Sequence, residues 1–233
     1  MHKSTEDVYD LLYSFKNYER EAGEIKEYIL ARCPKARTIL DVACGTGKHA
    51  QYLNANFQVD GIDISPRFVE IAQARNPASA FWCKDMTSFE LDRQYDAVIC
   101  LFSAIAYASS GESLTRTLKQ MKKHTKPGGY LFIEPWFTPD TWSPGNVSIL
   151  NGGNKELKVS RMSHSSRADK ISILNFDYLI GTTDGITHIS EKHELGLFTV
   201  GEMMSAFREA GLEAEHDPKG IGGRGMYFAK AMR

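Results

Sequence analysis

The chain has 233 residues, with 28 basic and 29 acidic side chains and a formal net charge of −1. This balance excludes the basic field that a nucleic-acid partner needs, and the length predicts one domain with a core large enough to fold alone. No run is apolar and long enough for a membrane span, and residues 1–26 are too charged for a secretory signal.

The first long element is a helix over residues 21–32. Ile25, Tyr28 and Ile29 share one helical face, and Pro34 ends the pattern. Four strand–helix units then alternate through Ile133. This alternation is typical of a parallel sheet with helices on both faces.

The first strand, residues 38–40, leads into the most informative segment, residues 41–47, which read Asp-Val-Ala-Cys-Gly-Thr-Gly. Two glycines let the backbone turn tightly and approach a ligand. A helix after such a turn presents its N-terminal amides to an anionic group. The carboxylate of Asp41 would repel a pyrophosphate, but it suits a ligand with positive charge, such as the amino and sulfonium groups of S-adenosylmethionine.

Two other nucleotide motifs and one structural alternative compete for this segment. The dinucleotide fingerprint fits by spacing as Gly45-x-Gly47-x-x-Ala50, although Asp41 argues against it. A phosphate-binding P-loop fails, because His49 stands where Ser or Thr is required and Val42 where the first glycine is required. An ordinary strand–turn–helix remains the structural alternative.

The next two strands also end in acids. Residues 57–63 read as a strand ending at Asp63, eighteen positions after Gly45, where an acid in nucleotide-binding α/β folds accepts from ribose hydroxyls. Capping of the following helix is the alternative role, but Ser65 before Pro66 can do that itself. Residues 80–86 form a third strand closed by Asp85-Met86, where a carboxylate and the next backbone amide can meet adenine.

This order of glycine turn, ribose acid and Asp-Met resembles the class I S-adenosylmethionine-dependent methyltransferases. The match continues through a fourth strand, residues 95–100, and a turn and fifth strand, residues 126–134. The resemblance covers about residues 37–135. It implies an α/β, Rossmann-like fold with a mostly parallel seven-stranded sheet flanked by helices.

The remaining segments resemble a narrower family, the TDP-3-amino-deoxyhexose N,N-dimethyltransferases of macrolide sugar pathways (desosamine and mycaminose). The similar stretches are residues 5–22, 41–47, 102–107, 134–137, 160–167 and 222–225. Three departures from that family are Asp63 in place of a Glu, residues 220–222 in place of a Gly-Pro-Ser-like stretch, and a single aromatic after Trp136. The resemblance implies N-methylation of a TDP-linked amino sugar, with S-adenosylmethionine as methyl donor.

Beyond Ile133 the composition changes. Pro135, Pro139 and Pro144 break the chain, and residues 156–166, 170–180 and 186–198 have strand-like composition. They predict an antiparallel β insertion after the fifth strand, acting as a substrate lid or as the surface of a homodimer. A helix over 199–210 and strands near 212–216 and 226–230 complete the chain, which divides into segments 1–135, 136–198 and 199–233.

Roles follow for individual side chains. The predicted cofactor contacts are Tyr9, Tyr18, Arg20, Asp41, Ala43, Cys44, Gly45, Gly47, Asp63, Ile64, Asp85, Met86 and Leu101. Arg20 is expected to reach the methionyl carboxylate. The alternative for both tyrosines is helix packing, and His49 is expected to be surface or cofactor-adjacent packing. The four cysteines lack metal-site spacing, which predicts reduced thiols in the cytoplasm and no metal site.

The predicted acceptor contacts are Phe102, Tyr107, Glu134, Trp136, Arg161, Ser163 and Arg224. Tyr107 would orient the amine, and Glu134 would hold the amine or sugar hydroxyls; packing and a charge at a sheet end are their alternatives. Arg161, Arg167 and Arg224 are the pyrophosphate candidates, because guanidinium matches phosphate oxygens in forked geometry. Solvated strand-edge charge is the alternative for Arg161 and Arg167, and core packing for Trp136.

Two other functions stay open at this point. A methyltransferase for another small-molecule acceptor would keep the cofactor motifs without needing a pyrophosphate site. A non-catalytic module would bind S-adenosylmethionine without turnover.

Overall fold

The computed structural model describes residues 3–232. In chain order the elements are α1 (Thr5–Leu12), α2 (Tyr18–Arg32), β1 (Thr38–Val42), α3 (Lys48–Leu53), β2 (Gln58–Asp63), α4 (Pro66–Arg75), β3 (Phe81–Cys83), β4 (Tyr95–Cys100), a 3-10 turn (Ala104–Tyr107), α5 (Gly111–Lys123), β5 (Thr125–Ile133), β6 (Val147–Gly153), β7 (Lys158–Ala168), β8 (Ile171–Thr182), β9 (Gly185–Gly196), α6 (Val200–Glu209), β10 (Glu213–Asp217) and β11 (Met226–Lys230).

Within these residues the main sheet has seven strands in the order β10-β11-β5-β4-β1-β2-β3. Strands β1 to β5 pair in parallel, whereas β11 runs antiparallel to both β5 and β10. The chain proceeds outward from β1 to β3 and then crosses to β4 on the other side of β1. Ligands of open α/β sheets bind beyond the strand ends at such a reversal. The predicted fold class is confirmed.

Helices cover both faces of the main sheet, as the alternation predicts. Helices α2, α3 and α4 bury apolar side chains against one face, among them Ile25, Ile29 and Leu53. Helices α5 and α6 cover the other face, with Leu118 and Phe207 in a second buried cluster. Because both faces are buried, the central strands are almost wholly apolar, which made them recognisable in the sequence.

One predicted strand–helix unit is wrong. Residues 84–94, all within the described chain, join β3 to β4 without a helix. Side-chain contacts hold this connection instead: Phe89 stacks on His124 at 4.4 Å between ring centroids, and Leu91 N–H donates to the same imidazole at 3.0 Å. A helix is therefore not needed to bury the connection.

The predicted insertion is a separate antiparallel sheet, β6-β7-β8-β9, which is called the insertion sheet below. It contains one strand more than the sequence predicted within the described residues. Strand β6 is largely exposed and ends in Asn151-Gly152-Gly153, a composition typical of a turn.

Helix α1 lies between the insertion sheet and the main sheet. Its Val8 and Leu12 are buried against Val159 and Tyr178 of the insertion sheet. Its polar side reaches the glycine turn, as described below, so α1 couples the two sheets at the functional site. In the described part of the chain, no helix is both long enough and apolar enough to cross a bilayer.

Candidate active site

The glycine turn joins β1 to α3, and its two glycines differ in the space around the position that a Cβ would take. Both adopt left-handed backbone angles, with φ of +54° at Gly45 and +69° at Gly47. A Cβ at Gly47 would stand 2.9 Å from Ala72 Cβ and 2.8 Å from Asn76 Nδ2 of the neighbouring helix end, whereas one at Gly45 would meet nothing within 4 Å. Gly47 is thus required for packing, and Gly45 leaves open space on the ligand side.

A cavity opens at the carboxyl ends of β1 and β4. Its lining residues are Tyr9, Tyr18, Asp41, Ala43, Cys44, Gly45, Thr46, Lys48, His49, Leu101 and Phe102. Two of them, Ala43 and Phe102, hold positive φ of 59° and 53°, which costs a non-glycine residue about 1–3 kcal/mol and is concentrated at functional sites. The structure therefore brings most of the predicted cofactor contacts together around one space.

Asp41 supplies the most distinctive acidic group in this cavity. Its side chain is 2% exposed, and Oδ2 has no hydrogen-bond partner among residues 3–232. Burial, reinforced by the nearby Asp63 carboxylate, raises the pKa of Asp41 to about 8. An unpartnered buried carboxylate is costly unless a donor meets it. The site therefore fits the ammonium group of S-adenosylmethionine.

Asp63 fastens the end of β2 to the glycine turn. Its Oδ2 accepts from the Gly45 N–H at 2.8 Å, and its Oδ1 accepts from the Ser65 N–H at 2.9 Å. Burial is the main cause that raises the pKa of Asp63. Ser65 caps α4 through the Phe68 N–H, as predicted, so Asp63 is not needed as the cap. The Ile64 backbone N–H also contributes to holding this carboxylate, and ribose binding stays a prediction.

The adenine end of the predicted site is more open. Ile64 is 70% exposed, and Asp85 is exposed with its Oδ1 accepting from the Thr87 N–H at 2.7 Å. Met86 is partly buried against the core on the α5 side. The three side chains border the ends of β2 and β3, where the sequence predicts the adenine.

Arg20, another predicted cofactor contact, lies at the protein surface. It is exposed and pairs with Glu24 at 2.5 Å one helical turn away. Lys16 lies closer to the cavity, with Nζ 4.3 Å from the ring centroid of Phe102. No sequence pattern singles out Lys16, because it lies before α2, outside any periodic segment.

Lys16 belongs to a buried group of charges beside the cavity. Glu21 pairs with Lys16 and, at 2.9 Å, with His49 Nε2. Hydrogen bonds from His49 and Lys16 outweigh burial and lower the pKa of Glu21. His49 also packs edge-on against Tyr18 at 5.0 Å between ring centroids. His49 is thus cavity packing, as expected, with an ionic partner that the sequence did not indicate.

Helix α1 is tied to the glycine turn by polar contacts that the sequence analysis missed. Asp10 accepts from Thr46 Oγ1 at 2.7 Å and pairs with Arg75, which also donates to the Thr46 carbonyl oxygen. These three residues are distant in sequence, so nothing local indicated their contact. The contacts hold Tyr9 of α1 over the cavity.

On the acceptor side, the structure pairs two residues that the sequence analysis assigned to different parts of the substrate. Glu134 is 3% exposed; its Oε1 pairs with Arg224 at 2.8 Å, and its Oε2 accepts from the Phe102 N–H at 2.6 Å. Arg224 stands 5.9 Å from the ring centroids of Trp136 and Phe137. Glu134 thereby fixes the cavity-lining Phe102, and Arg224 neutralises Glu134.

Trp136 and Ser163 are both held by hydroxyl groups of the insertion sheet. Trp136 donates through Nε1 to Ser172 Oγ at 2.9 Å. Ser163 is buried and shares a hydrogen bond of 2.7 Å with Ser148. Both side chains therefore have protein partners as well as their predicted substrate roles.

Arg161 is a buried cation without an acidic partner. It is 7% exposed, donates to Tyr13 Oη at 3.0 Å and lies 4.2 Å from the ring centroid of Phe176. Its Nε has no hydrogen-bond partner, and no carboxylate pairs with it, within residues 3–232. The solvated strand-edge alternative is therefore wrong for Arg161. The strand-edge alternative does describe Arg167, which is exposed and donates hydrogen bonds to backbone oxygens.

Tyr107 ends the 3-10 turn and faces the insertion sheet. Its side chain is 51% exposed, and Oη lies 2.7 Å from Nδ1 of His193 on β9. No sequence pattern indicates His193, because 86 residues separate it from Tyr107 and only the folded chain brings the two together.

Comparisons with known proteins agree with this geometry. A family model described as a methyltransferase domain matches residues 39–129. The dTDP-3-amino-3,6-dideoxy-alpha-D-glucopyranose N,N-dimethyltransferase of Streptomyces fradiae is 37% identical over 95% of this chain and 88% of its own length. The dTDP-4-amino-2,3,4,6-tetradeoxy-D-glucose N,N-dimethyltransferase of Saccharopolyspora spinosa is 34% identical over 95% and 90%.

Solved structures give the same result. DesVI of Streptomyces venezuelae superposes with a TM-score of 0.91 at 33% identity, covering 98% of this chain and 99% of that one. CalS10, described as an S-adenosylmethionine-bound amino pentose methyltransferase of Micromonospora echinaspora, gives 0.85 at 30% identity, covering 100% and 98%.

The chain is a class I S-adenosylmethionine-dependent methyltransferase. Its similarity to the sugar-modifying relatives extends across the insertion sheet as well as the cofactor-binding core. It therefore belongs to the family of dTDP-amino sugar N,N-dimethyltransferases. The cofactor predicted from the glycine turn and Asp41 is confirmed.

Proposed function

We propose that this enzyme transfers methyl groups to the amino nitrogen of a TDP-linked amino deoxysugar. The observation that carries the proposal is the similarity over 95% of the chain to two enzymes whose named substrates are dTDP-amino sugars. The buried Arg161, a cation without an acidic partner in the described chain, supports an acceptor that carries phosphate.

On the donor side, bound S-adenosylmethionine supplies an electrophilic methyl group on a sulfonium. Asp41 would accept from its ammonium group, and Asp63 from its ribose hydroxyls. Asp85 and Met86 would meet the adenine. Lys16, whose Nζ lies 4.3 Å from the ring of the cavity-lining Phe102, would replace Arg20 as the candidate for the methionyl carboxylate, since Arg20 pairs with Glu24 at the surface.

On the acceptor side, the insertion sheet and α1 would hold the nucleotide sugar. Arg161 can offer its free Nε–H to a phosphate oxygen, while Tyr13 and Phe176 keep its guanidinium in place. Arg224 is less available for phosphate binding, because Nη2 of its guanidinium group already pairs with Glu134. Trp136, beside Arg224, remains the candidate to stack on a sugar or thymine ring.

Positioning should supply most of the rate. Methyl transfer needs a neutral amine lone pair in line with the breaking carbon–sulfur bond. Holding two reactants in such a geometry can contribute about 7–11 kcal/mol. Tyr107 would orient the amine; its position at the end of the 3-10 turn, with Oη 2.7 Å from His193 of the insertion sheet, supports this role.

A turnover assay with matched substrates tests the proposal. The enzyme is incubated with S-adenosylmethionine and TDP-amino sugars, with the corresponding hydroxyl sugars and glycine-like amines as controls, and products are read by mass spectrometry. We expect methyl mass increments on amino sugars alone. Methylation of a hydroxyl sugar or a simple amine would contradict the acceptor, and cofactor binding without turnover on any amine would indicate a non-catalytic module.

A pair of arginine variants tests the phosphate contact. Arg161→Met should weaken TDP binding about tenfold or more, since a hydrogen bond between charged groups contributes about 1.5–3 kcal/mol. Arg167→Met, on the same strand but bonded to backbone oxygens at the surface, is the control and should bind TDP like the wild type. Equal titration curves for the Arg161 variant and the wild type would remove this assignment.

We also propose that the enzyme is a homodimer built on the outer face of the insertion sheet. Val147, Ile149 and Met162 are each more than half exposed, and Ile149 and Met162 are register partners on β6 and β7. An apolar patch of this kind is typical of an interaction surface. Light scattering should give a dimer for the wild type and a monomer for Met162→Lys; a wild-type monomer would contradict the proposal.

A further inference from the structure

We propose that Tyr107, His193 and Glu191 form a proton relay that removes the proton from the amine of the acceptor sugar. The inference rests on the proposed function and assigns roles to two residues of β9. It starts from a continuous chain of hydrogen bonds. Tyr107 Oη lies 2.7 Å from His193 Nδ1, His193 Nε2 lies 3.1 Å from Glu191 Oε2, and Glu191 Oε1 accepts from Thr5 Oγ1 at 2.5 Å.

The partners of His193 determine which of its ring nitrogens carries the proton. Glu191 is a carboxylate that can only accept, so Nε2 carries the proton and donates to it. Nδ1 is then the acceptor, and the Tyr107 hydroxyl donates to Nδ1. The hydrogen bond from His193 lowers the pKa of Glu191, which keeps it charged. A fixed tautomer with a charged partner is the arrangement that activates a hydroxyl in Ser-His-Asp enzymes.

Tyr107 cannot act as a base alone. Although Tyr107 as a whole is 51% exposed, desolvation around its hydroxyl, together with Tyr13 and Glu191, raises the pKa of Tyr107 above its ordinary value. A phenol that stays protonated can take a proton from the amine only if it passes its own proton on at the same time. His193 is the acceptor in place for that proton, and histidine is the side-chain type whose charge changes near neutral pH.

The transfer balances as follows. One ammonium N–H bond breaks and its proton goes to Tyr107 Oη, while the Tyr107 O–H proton goes to His193 Nδ1. The electron pair stays on the sugar nitrogen as the lone pair that attacks the methyl group. Glu191 stabilises the imidazolium by its negative charge. The His193 side chain is 26% exposed, so the imidazolium then loses its Nδ1 proton to water and keeps the Nε2 proton, which restores the starting tautomer.

The relay is surrounded by side chains from several elements of the fold. The titratable and charged groups around the relay are Tyr9 and Tyr13 of α1, Asp63 of β2, Arg161 of β7, Tyr178 of β8 and Glu191 of β9. Lys192 and Glu194 flank His193 on β9 but lie on the opposite face of the strand, where they pair with each other. Phe176 packs on the imidazole at 4.9 Å between ring centroids and limits access of water to that side.

His193→Asn tests the relay, because asparagine keeps a hydrogen-bond acceptor near the Nδ1 position but cannot hold the proton. We expect KM for the sugar and the affinity for S-adenosylhomocysteine to be unchanged and kcat to fall about 100-fold, the lower range for general acid–base catalysis. The kcat of the variant should rise about tenfold per pH unit, because only the fraction of substrate with a free amine reacts. The kcat of the wild type should instead level off as the pH rises.

Two further variants separate a relay from a packing role. Tyr107→Phe combined with His193→Asn should lose no more activity than either single change, since both interrupt one chain. Glu191→Gln keeps the side-chain size and should show the same pH dependence as His193→Asn. It replaces His193→Asn as the test if that variant does not fold. His188→Asn is the control: this histidine is exposed on the same strand, pairs with Asp177, and should react like the wild type.

The outcomes separate the two proposals. A wild-type enzyme that methylates no TDP-amino sugar overturns the proposed function, whatever the variants do. If the wild-type enzyme does methylate a TDP-amino sugar, two results would overturn the relay. One is a His193→Asn variant with the same kcat and pH profile as the wild type. The other is a double variant whose loss of kcat is the product of the two single losses. Nitrogen NMR of the His193 ring should show a neutral ring protonated at Nε2, and a proton on Nδ1 would also overturn it.

Discussion

Replacing Asp41 by asparagine should change both the stability of the ligand-free enzyme and its affinity for the cofactor. The pKa of Asp41 is about 8 in the folded chain and near 3.8 when unfolded. Between these values the folded state holds one proton more, so stability is lost as pH rises from about 4 to 8. At pH 7 the loss is on the order of 4 kcal/mol relative to a side chain that stays neutral. Asp41→Asn should therefore be the more stable ligand-free protein.

The same carboxyl should release a proton when the cofactor binds. With a pKa of about 8, roughly nine-tenths of the Asp41 carboxyls are protonated at pH 7, and meeting an ammonium group ionises them. Calorimetric titration with S-adenosylhomocysteine in two buffers of different ionisation enthalpy measures this release. We expect about 0.9 proton for the wild type and none for Asp41→Asn, whose affinity should fall about tenfold or more.

Two results would refute this reasoning. One is a wild-type binding enthalpy that does not depend on the buffer, because Asp41 would then already be ionised or would not meet the ligand. The other is an Asp41→Asn variant that binds S-adenosylhomocysteine as tightly as the wild type. Thermal unfolding from pH 5 to 8 is the independent check: stability should fall in the wild type and fall much less in the variant.

Two further predictions concern packing around the site. Gly47→Ala should lower the free energy of unfolding by about 2–4 kcal/mol, because the new Cβ meets Ala72 and Asn76 at a positive φ. Gly45→Ala, with open space at its Cβ, should cost only about 1 kcal/mol and should instead weaken cofactor binding; denaturant unfolding of both variants shows whether the costs differ. Arg224→Met should destabilise the protein by about 3 kcal/mol, since Glu134 is left buried and unpaired, and an unchanged melting temperature would be the contrary result.

The sequence predicts the main sheet well because its central strands are buried on both faces. Residues 95–100 form β4 as predicted, and the acids of the motifs stand at strand ends where a parallel sheet gathers them. Strand β6 is not predicted because its mostly apolar stretch, residues 147–150, is only four residues long and continues into Asn151-Gly152-Gly153, a composition typical of a turn. The insertion as a whole was still recognisable from its three other strands.

Pairings between distant side chains could not be predicted from the sequence. Ninety residues separate Glu134 from Arg224 and 86 separate Tyr107 from His193, and no local pattern records such contacts. The expectation for Arg20 depended on where α2 begins. With Asn17 as its N-cap the helix starts at Tyr18, and Arg20 then pairs with Glu24 at the surface.

A crystal structure of the enzyme with S-adenosylhomocysteine and a TDP-amino sugar is the most direct test of whether this cavity and the insertion sheet bring donor and acceptor together. We expect the ligand's ammonium group at Asp41 Oδ2, the pyrophosphate at Arg161, and the sugar nitrogen between the sulfur and Tyr107 Oη. A sugar nitrogen directed away from the sulfur, or a nucleotide bound elsewhere than between α1 and the insertion sheet, would contradict it.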